Sequence, residues 1–323
     1  MKIGILMDPI SGIKPYKDTS FALLLAAQSR GWSVFYLEPD WLYAEQGRPR
    51  SRMHTITVFD RNTDWFELGP AQTQDLAELD IIIQRQDPPV TLNYHYVTAL
   101  LALAERQGVL VANRPNALRA ANEKLLAQHY PDLCPPTLVT RDPAQLRDFL
   151  SRHGHIVLKP LDAMGGSSIF QIQAGDLNTS VIIETMIQHG LIMAQKFLPA
   201  VREGDRRILL INGEPIDHAL LRVPQADEFR ANLAAGGRGQ VVPLRDRDRE
   251  IAARVGPDMA AAGFWFVGLD VIGNYLTEVN VTSPTCAREI DAVCHNDPAG
   301  QLLDFLATER LRRQREQNLS SPQ

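Results

Sequence analysis

Residues 268–284, GLDVIGNYLTEVNVTSP, constrain this chain more than any other stretch. Two short apolar segments flank a Gly-Asn pair, the pattern of a tight β-hairpin. They carry three metal-ligand candidates, Asp270, Glu278 and Asn280. Side chains two apart on a strand share a face, so Glu278 and Asn280 point the same way. Register decides whether Asp270 joins them. With only Gly273 and Asn274 in the loop, Ile272 pairs with Tyr275 and Asp270 falls on the face opposite Glu278. A loop over 273–275 instead pairs Asp270 with Glu278 and gathers all the oxygen-bearing groups on one side. Such hard ligands suit Mg2+, or Mn2+, rather than zinc. The rival reading is a hairpin with a solvated polar face. The apolar flanks FWFVGLDVI and LTEVNV argue for burial, where two carboxylates and an amide need a cation or other partners.

At 323 residues and 45% apolar, the chain is long enough for two or three domains. A net charge of −5 leaves no basic surplus for bulk nucleic-acid binding. Three cysteines, Cys134, Cys286 and Cys294, show no CxxC spacing. They predict neither a disulfide framework nor a zinc site, and they fit the reducing cytoplasm. Cys286 reads as a small buried residue rather than a nucleophile. No targeting segment is visible, and no apolar run is long enough for a membrane span.

The segment 2–7 reads as a buried strand, followed by a turn-rich loop, a helix capped by Thr19 or Ser20, and the strand SVFYLEP. This βαβ unit implies a parallel sheet with its binding loops at the strand C-termini. The strand IIIQ ends in Arg85 and Asp87 at the same edge, where a guanidinium can clamp a carboxylate. An Arg–Asp structural pair is the alternative. No GxGxxG follows the first strand, which argues against a dinucleotide fold of the usual kind.

After residue 120 the pattern changes. Lys124 opens a helix, and the strand PPTLVT follows. Asp142, Pro143 and Gly154 then frame a capped helix. Lys159 closes a strand that leads into the loop Met164-Gly165-Gly166-Ser167-Ser168. Backbone N–H groups of such a loop can cradle phosphates beside a lysine, although the spacing is not that of a P-loop. The strand LIMAQKFLPA runs into a turn that can offer main-chain groups and Phe197 to a flat adenine. Two antiparallel strands around INGEP carry Arg206, Arg207 and Arg222, which favour an anionic ligand or pair with nearby acids. The glycine-rich stretch 225–240, with Arg230, Asn232, Gly236 and Gly237, has the composition of a mobile lid. An amphipathic helix closes the chain, with a frayed or disordered tail over 315–323.

Taken together, these parts resemble the ATP-grasp superfamily and, more narrowly, the bacterial type of glutathione synthetase, to about residue 314. The ordered matches are MDPI, RxDPP at 85–89, NEKL at 122–125, LKPLDxMGGxSIF at 158–170 and AQxFLP at 194–199. Further on come GDxRxLxxxGEP at 204–215, NLAAGGRG at 232–239 and GLDxIGxxLTExNVTSPT at 268–285. The resemblance implies an N-terminal Rossmann-like (pre-ATP-grasp) α/β domain over 1–120, followed by an ATP-grasp fold of two α+β subdomains. These are a lid subdomain over 121–203 and a metal- and substrate-binding subdomain over 204–314.

By the same resemblance, Lys124 and Lys159 contact the ATP phosphates, and the loop Gly165, Gly166, Ser167, Ser168 covers them. Gln195, Lys196, Phe197 and Leu198 line the adenine pocket, and Asp205 reaches the nucleotide. Asp270, Glu278 and Asn280 hold Mg2+. Arg207 and Arg222 bind the transferred phosphoryl group and the acyl substrate. Arg85, Asp87, Arg230, Asn232, Gly236 and Gly237 belong to the peptide-substrate side. The implied reaction joins γ-glutamylcysteine to glycine at the expense of ATP, through an acyl phosphate, in a cytoplasmic homotetramer. Neither nucleic acid nor membrane is an implied partner.

The chain departs from the family pattern at Ala163, at Gln86 and over VTLNYHYVT. The last two bear on the substrate edge, so a carboxylate–amine ligase with another acceptor or acyl donor stays open. A nucleotide-binding protein without turnover is a further alternative, opposed by the complete set of lysines and metal-ligand candidates.

Overall fold

A computed structural model of the chain describes residues 1–162, 165–225, 228, 230–231 and 236–320. The elements run β1 Lys2–Met7, α1 Thr19–Ser29, β2 Ser33–Leu37, β3 Leu42–Glu45, β4 Arg48–Val58, β5 Phe66–Asp75, β6 Ile81–Arg85, α2 Leu92–Arg106 and β7 Leu110–Ala112. Next come α3 Pro115–Ala120, α4 Glu123–Ala127, β8 Thr137–Thr140, α5 Pro143–His153, β9 His155–Pro160, β10 Phe170–Gln173, α6 Thr179–Met186 and β11 Ile192–Lys196. Last are β12 Asp205–Ile211, β13 Glu214–Val223, β14 Arg238–Pro243, α7 Asp246–Ala262, β15 Phe266–Ile272, β16 Tyr275–Asn280, α8 Ala287–Cys294 and α9 Pro298–Ser320.

The strands form three sheets. In the first, β2, β1, β6 and β7 lie parallel in that order, as their continuous apolar runs require. Met7 pairs with Arg85 at the ends of β1 and β6. The loops leaving these strands therefore share one edge, where Asp87 N donates to Asp8 Oδ2 at 2.8 Å. The β3–β4–β5 extension is antiparallel and was not foreseen. Its strand β5, FELGPAQTQD, is mostly exposed and has no apolar alternation to betray it.

The second sheet, β10-β9-β11-β8, is wholly antiparallel and packs its buried face on α5 and α6 through Leu146, Phe149, Leu158 and Ile183. The third, β14-β13-β12-β15-β16, is also antiparallel. One face meets α7 through Ile251, Val255 and Met259. The other joins α1, α8 and α9 in a core shared with the first sheet, including Phe21, Leu209, Ile290 and Leu302. Asn113 fastens the two sheets. Its Nδ2 donates to the carbonyls of Phe266 and Val281, both at 2.8 Å, and its Oδ1 accepts from Trp265 N and Phe266 N.

Three expectations are corrected. Asp18, not Thr19 or Ser20, caps α1, its Oδ1 accepting from Phe21 N at 2.7 Å, because the helix begins at Thr19, one or two residues earlier than the composition suggests. The glycine-rich stretch ends in a strand, β14, whose Gly239 pairs with Arg222. The tail expected to fray over 315–323 is helical through Ser320, supported by ion pairs such as Arg312 with Glu309 and Glu316, and 321–323 lie outside the described residues. Among the described residues, no helix is long and apolar enough to cross a membrane.

Candidate active site

The β15–β16 hairpin turns on Gly273 and Asn274, with Ile272 opposite Tyr275. Parity alone would put Asp270 and Glu278 on opposite faces, yet they pair directly. A β-bulge reconciles the two: Val271 pairs with Leu276, so Thr277 is an extra residue on β16. One inserted residue inverts the facing of everything beyond it. The Thr277 hydroxyl donates to the Asp270 carbonyl at 3.1 Å inside the bulge. Neither simple register foreseen from the sequence applies, but the gathering of Asp270 and Glu278 does occur. Asn280 lies two residues along, opposite Gly268, and its Nδ2 donates to the Gly268 carbonyl at 3.2 Å.

Asp270 is buried and carries two arginines. Arg207 grips it with two bonds, Nε to Oδ1 at 2.6 Å and Nη2 to Oδ2 at 3.0 Å. Arg222 Nη2 reaches Oδ2 at 3.0 Å and also Asp205 Oδ2 at 2.5 Å. Burial alone would raise the Asp270 pKa, but Arg207 and Arg222 outweigh it and hold the carboxyl far below its usual range. Asp205 differs. Its burial outweighs the pull of Arg222, and its pKa is raised to about 6. Glu278 pairs instead with Lys124, Nζ to Oε1 at 3.1 Å.

Two clefts meet at this hairpin. One is lined by Lys124, Lys159, Gly165, Gly166, residues 195–198, Asp205, Asp270 and Glu278. Lys159 Nζ lies 2.6 Å from Gln195 Oε1, and burial lowers its pKa. Gly165 and Gly166 adopt φ of 61° and 83°, a turn that leaves the loop without bulky side chains toward the cleft. Ser167 and Ser168 are exposed beside it. Phe197 lines the cleft, but its ring stacks on His155, centroids 3.9 Å apart. Arg230 also faces this cleft, donating from Nη1 to the Gly166 carbonyl at 3.0 Å, which places it nearer the phosphate loop than the peptide side.

The second cleft contains Lys14, Lys17, Asp18, Asp87, Arg207, Arg222, Asn280, Ser283, Thr285, Cys286 and Glu289. It shares Gly165 and Glu278 with the first. Lys14, Lys17, Ser283 and Glu289 were missed from the sequence. The loop KPYK and the TSPT following the hairpin were the only signals for them. Arg85 is buried at the sheet edge and does not line this cleft. Its Nε donates to Ser20 Oγ at 3.0 Å, and burial lowers its pKa. Gly236 accepts from Gln225 Nε2, and Gly237 lines a neighbouring depression with Tyr16 and Lys17. Asn232 and Ala163 lie outside the described residues.

A lysine-lined cleft abutting an arginine-lined one, across two antiparallel sheets, defines an ATP-grasp ligase. Solved structures agree on the fold. D-cycloserine synthetase DcsG superposes with a TM-score of 0.68 at 14% identity, covering 96% of this chain and all of that one. The ATP-grasp ligase PsnB, complexed with a minimal precursor, gives 0.63 at 17%, covering 95% and 98%. Family models narrow the class. The prokaryotic glutathione synthetase N-terminal domain matches residues 1–119, and the ATP-grasp domain of the same family matches 123–295.

Glutathione synthetase of Pseudomonas putida is 55% identical over 95% of this chain and 97% of its own length. That of Pseudomonas aeruginosa is 52% identical, over 96% and 98%. That of Salmonella typhimurium is 50% identical, over 95% and 98%. The chain belongs to the prokaryotic glutathione synthetase family and is an ATP-dependent carboxylate–amine ligase.

Proposed function

We propose that this ligase joins γ-glutamylcysteine to glycine. The observation that carries the reading is the meeting of the two clefts at Glu278 and Gly165. It brings a γ-phosphate held by Lys124 and Lys159 beside a carboxylate held by Arg207 and Arg222. A carboxylate is a poor electrophile toward amines, so its oxygen first attacks the γ-phosphorus, and ADP departs. The acyl phosphate then takes the glycine amine at its carbonyl carbon and releases phosphate. Arg207 and Arg222, fixed by Asp270 and Asp205, are pre-set to stabilise charge on the transferring group without reorganising. The acyl phosphate is water-labile, and Arg230 and Ala231, which line the nucleotide cleft, belong to a glycine-rich stretch of the composition suited to a solvent-excluding lid.

The donor set fits a hard divalent cation. Glu278 and Asp270 are opposed, Asn280 follows on the same strand, and both carboxylates already hold cationic side chains. Among the described residues no group of three or more His, Cys, Asp and Glu gathers for a metal, so the set is two carboxylates and an amide. Glu278, Asn280 and Asp270 would hold Mg2+ or Mn2+, which supplies charge neutralisation on the phosphate oxygens. The domain limits at 120, 203 and 314, a homotetrameric assembly and a cytoplasmic location belong to the same reading, on family resemblance.

ADP release with γ-glutamylcysteine and a panel of amines tests the specificity. Glycine should exceed every other amine by at least about tenfold, since a site built for a small acceptor rejects added bulk. Preference for a different amine moves the chain to another acceptor within the class. Absence of substrate-dependent ADP release with every pair sinks the ligation reading.

A further inference from the structure

We propose that Glu123 is a positioning residue for the cation-binding strand, its side chain fixing the point where β16 leaves the sheet and so the placement of Asn280 and Glu278. This rests on the metal assignment above. Three consecutive residues at the start of α4 each hold a different part of the site. Asn122 caps the helix, its Oδ1 accepting from Lys124 N at 3.2 Å and Leu125 N at 3.1 Å. Its Nδ2 donates to the Leu161 carbonyl at 2.9 Å, at the root of the phosphate loop. Glu123 Oε1 accepts from Val281 N at 2.8 Å and Thr282 N at 2.9 Å, the first two amides after Asn280. Lys124 Nζ then reaches Glu278. One short helix thereby ties the phosphate loop, the strand exit and a metal-ligand carboxylate into one unit.

The bonds made by Glu123 identify its role. Two of them are accepted by one oxygen from consecutive backbone amides, and the Thr282 side chain adds a further bond, so the side chain acts as a fixed strut of one length. Stability alone accounts poorly for a carboxylate here. It is half-buried and lines the same cleft as Glu278, a group of like charge. Groups that orient metal ligands typically change metal affinity 10- to 100-fold when lost. Asn280 is the ligand most exposed to such a loss. Its amide is turned by the bond to Gly268, and the backbone of the next residue is held by Glu123 at the Val281 N–H and by Asn113 Nδ2 at the Val281 carbonyl.

Two substitutions separate reach from charge. E123Q keeps the length and an acceptor oxygen but loses the charge; E123D keeps the charge but is one methylene short. Mn2+ binding to each protein in the presence of ADP is read from the electron paramagnetic resonance of free Mn2+, together with amide exchange at 281–282. E123Q should bind within about threefold of the unaltered protein, with both amides protected. E123D should bind at least about tenfold more weakly, with faster exchange. Weak binding by E123Q, or unaltered binding by E123D, overturns the proposal. If E123D does not fold, loss of amide protection in E123Q is sufficient to overturn it, and retained protection with near-normal Mn2+ affinity supports it. N280A tests the metal assignment separately: Mn2+ affinity unchanged by that substitution sinks the assignment, whatever Glu123 does.

Discussion

Asp270 and Glu278 stand opposite each other in one hairpin, yet they are neutralised from different sides: Asp270 by Arg207 and Arg222, Glu278 by Lys124. The two carboxylates should therefore fail differently. Asp270→Ala leaves two buried guanidinium groups without their shared partner and should destabilise the fold by about 3–5 kcal/mol. Glu278→Gln and Asn280→Ala should lower turnover by about 100-fold while the melting temperature stays close to the original. Thermal melts beside ADP-release rates distinguish the two patterns. Near-normal activity in either of the latter variants would count heavily against the metal assignment.

Lys159 lies at the nucleotide side only. Removing its ammonium in Lys159→Met should raise the KM for ATP by about 10- to 100-fold, the range of a charge-assisted contact. The KM for the acyl substrate should change less than about threefold, because the arginine-lined cleft does not include this residue. Steady-state titration of each substrate against saturating levels of the others gives both numbers.

Asp205 provides a pH signature. In the folded chain its pKa is raised to about 6, above the ordinary aspartate value of 3.8. Between those values the folded state binds more protons than the unfolded one, so this group's contribution to stability falls as pH rises through the window. Asp205→Asn removes that contribution. The stability difference, unaltered protein minus variant, should fall by on the order of 2 kcal/mol from pH 4 to pH 6 and be flat above pH 7. Denaturant melts of metal- and nucleotide-free protein across that range measure it; a rising difference is the contrary result.

Gly256 sits inside α7, where alanine would ordinarily be favoured by about 1 kcal/mol. Here a Cβ would lie 1.9 Å from the Gly213 carbonyl oxygen in the β12–β13 turn. Gly256→Ala should therefore destabilise by about 2–3 kcal/mol, reversing the usual sign. A melting-temperature drop of several degrees is the expected readout, and an unchanged or higher value excludes the close approach.

Local pattern carried much of this architecture. The apolar runs of β1, β6 and β7, the caps of α5 at Asp142, Pro143 and Gly154, and the glycines at 165 and 166 all act within a few residues of themselves. Their structures follow from backbone preference and hydrophobic period. The β4–β5 hairpin was illegible because β4 mixes its few buried apolar residues, Met53, Ile56 and Val58, with charged ones, and β5 is held by pairing with β4 rather than by an apolar face of its own. The site divides in the same way. Lys124, Lys159 and the Asp270, Glu278, Asn280 set stood out as residue types in motifs, whereas Lys14, Ser283 and Glu289 acquire meaning only when α8 and the loop after β1 converge.

What the sequence by itself determined is the inventory: which short segments extend or coil, and which charged groups are available to a phosphate, a carboxylate and a cation. What only the tertiary structure decided is the pairing of those charges. The Thr277 bulge turns Asp270 toward Glu278, Arg207 and Arg222 lock onto Asp270 and Asp205, and Glu123 reaches the amides beyond Asn280. Chain order cannot rank such partners, because Coulomb energy and desolvation depend on separation in space and on burial, and both are set by how the three sheets pack.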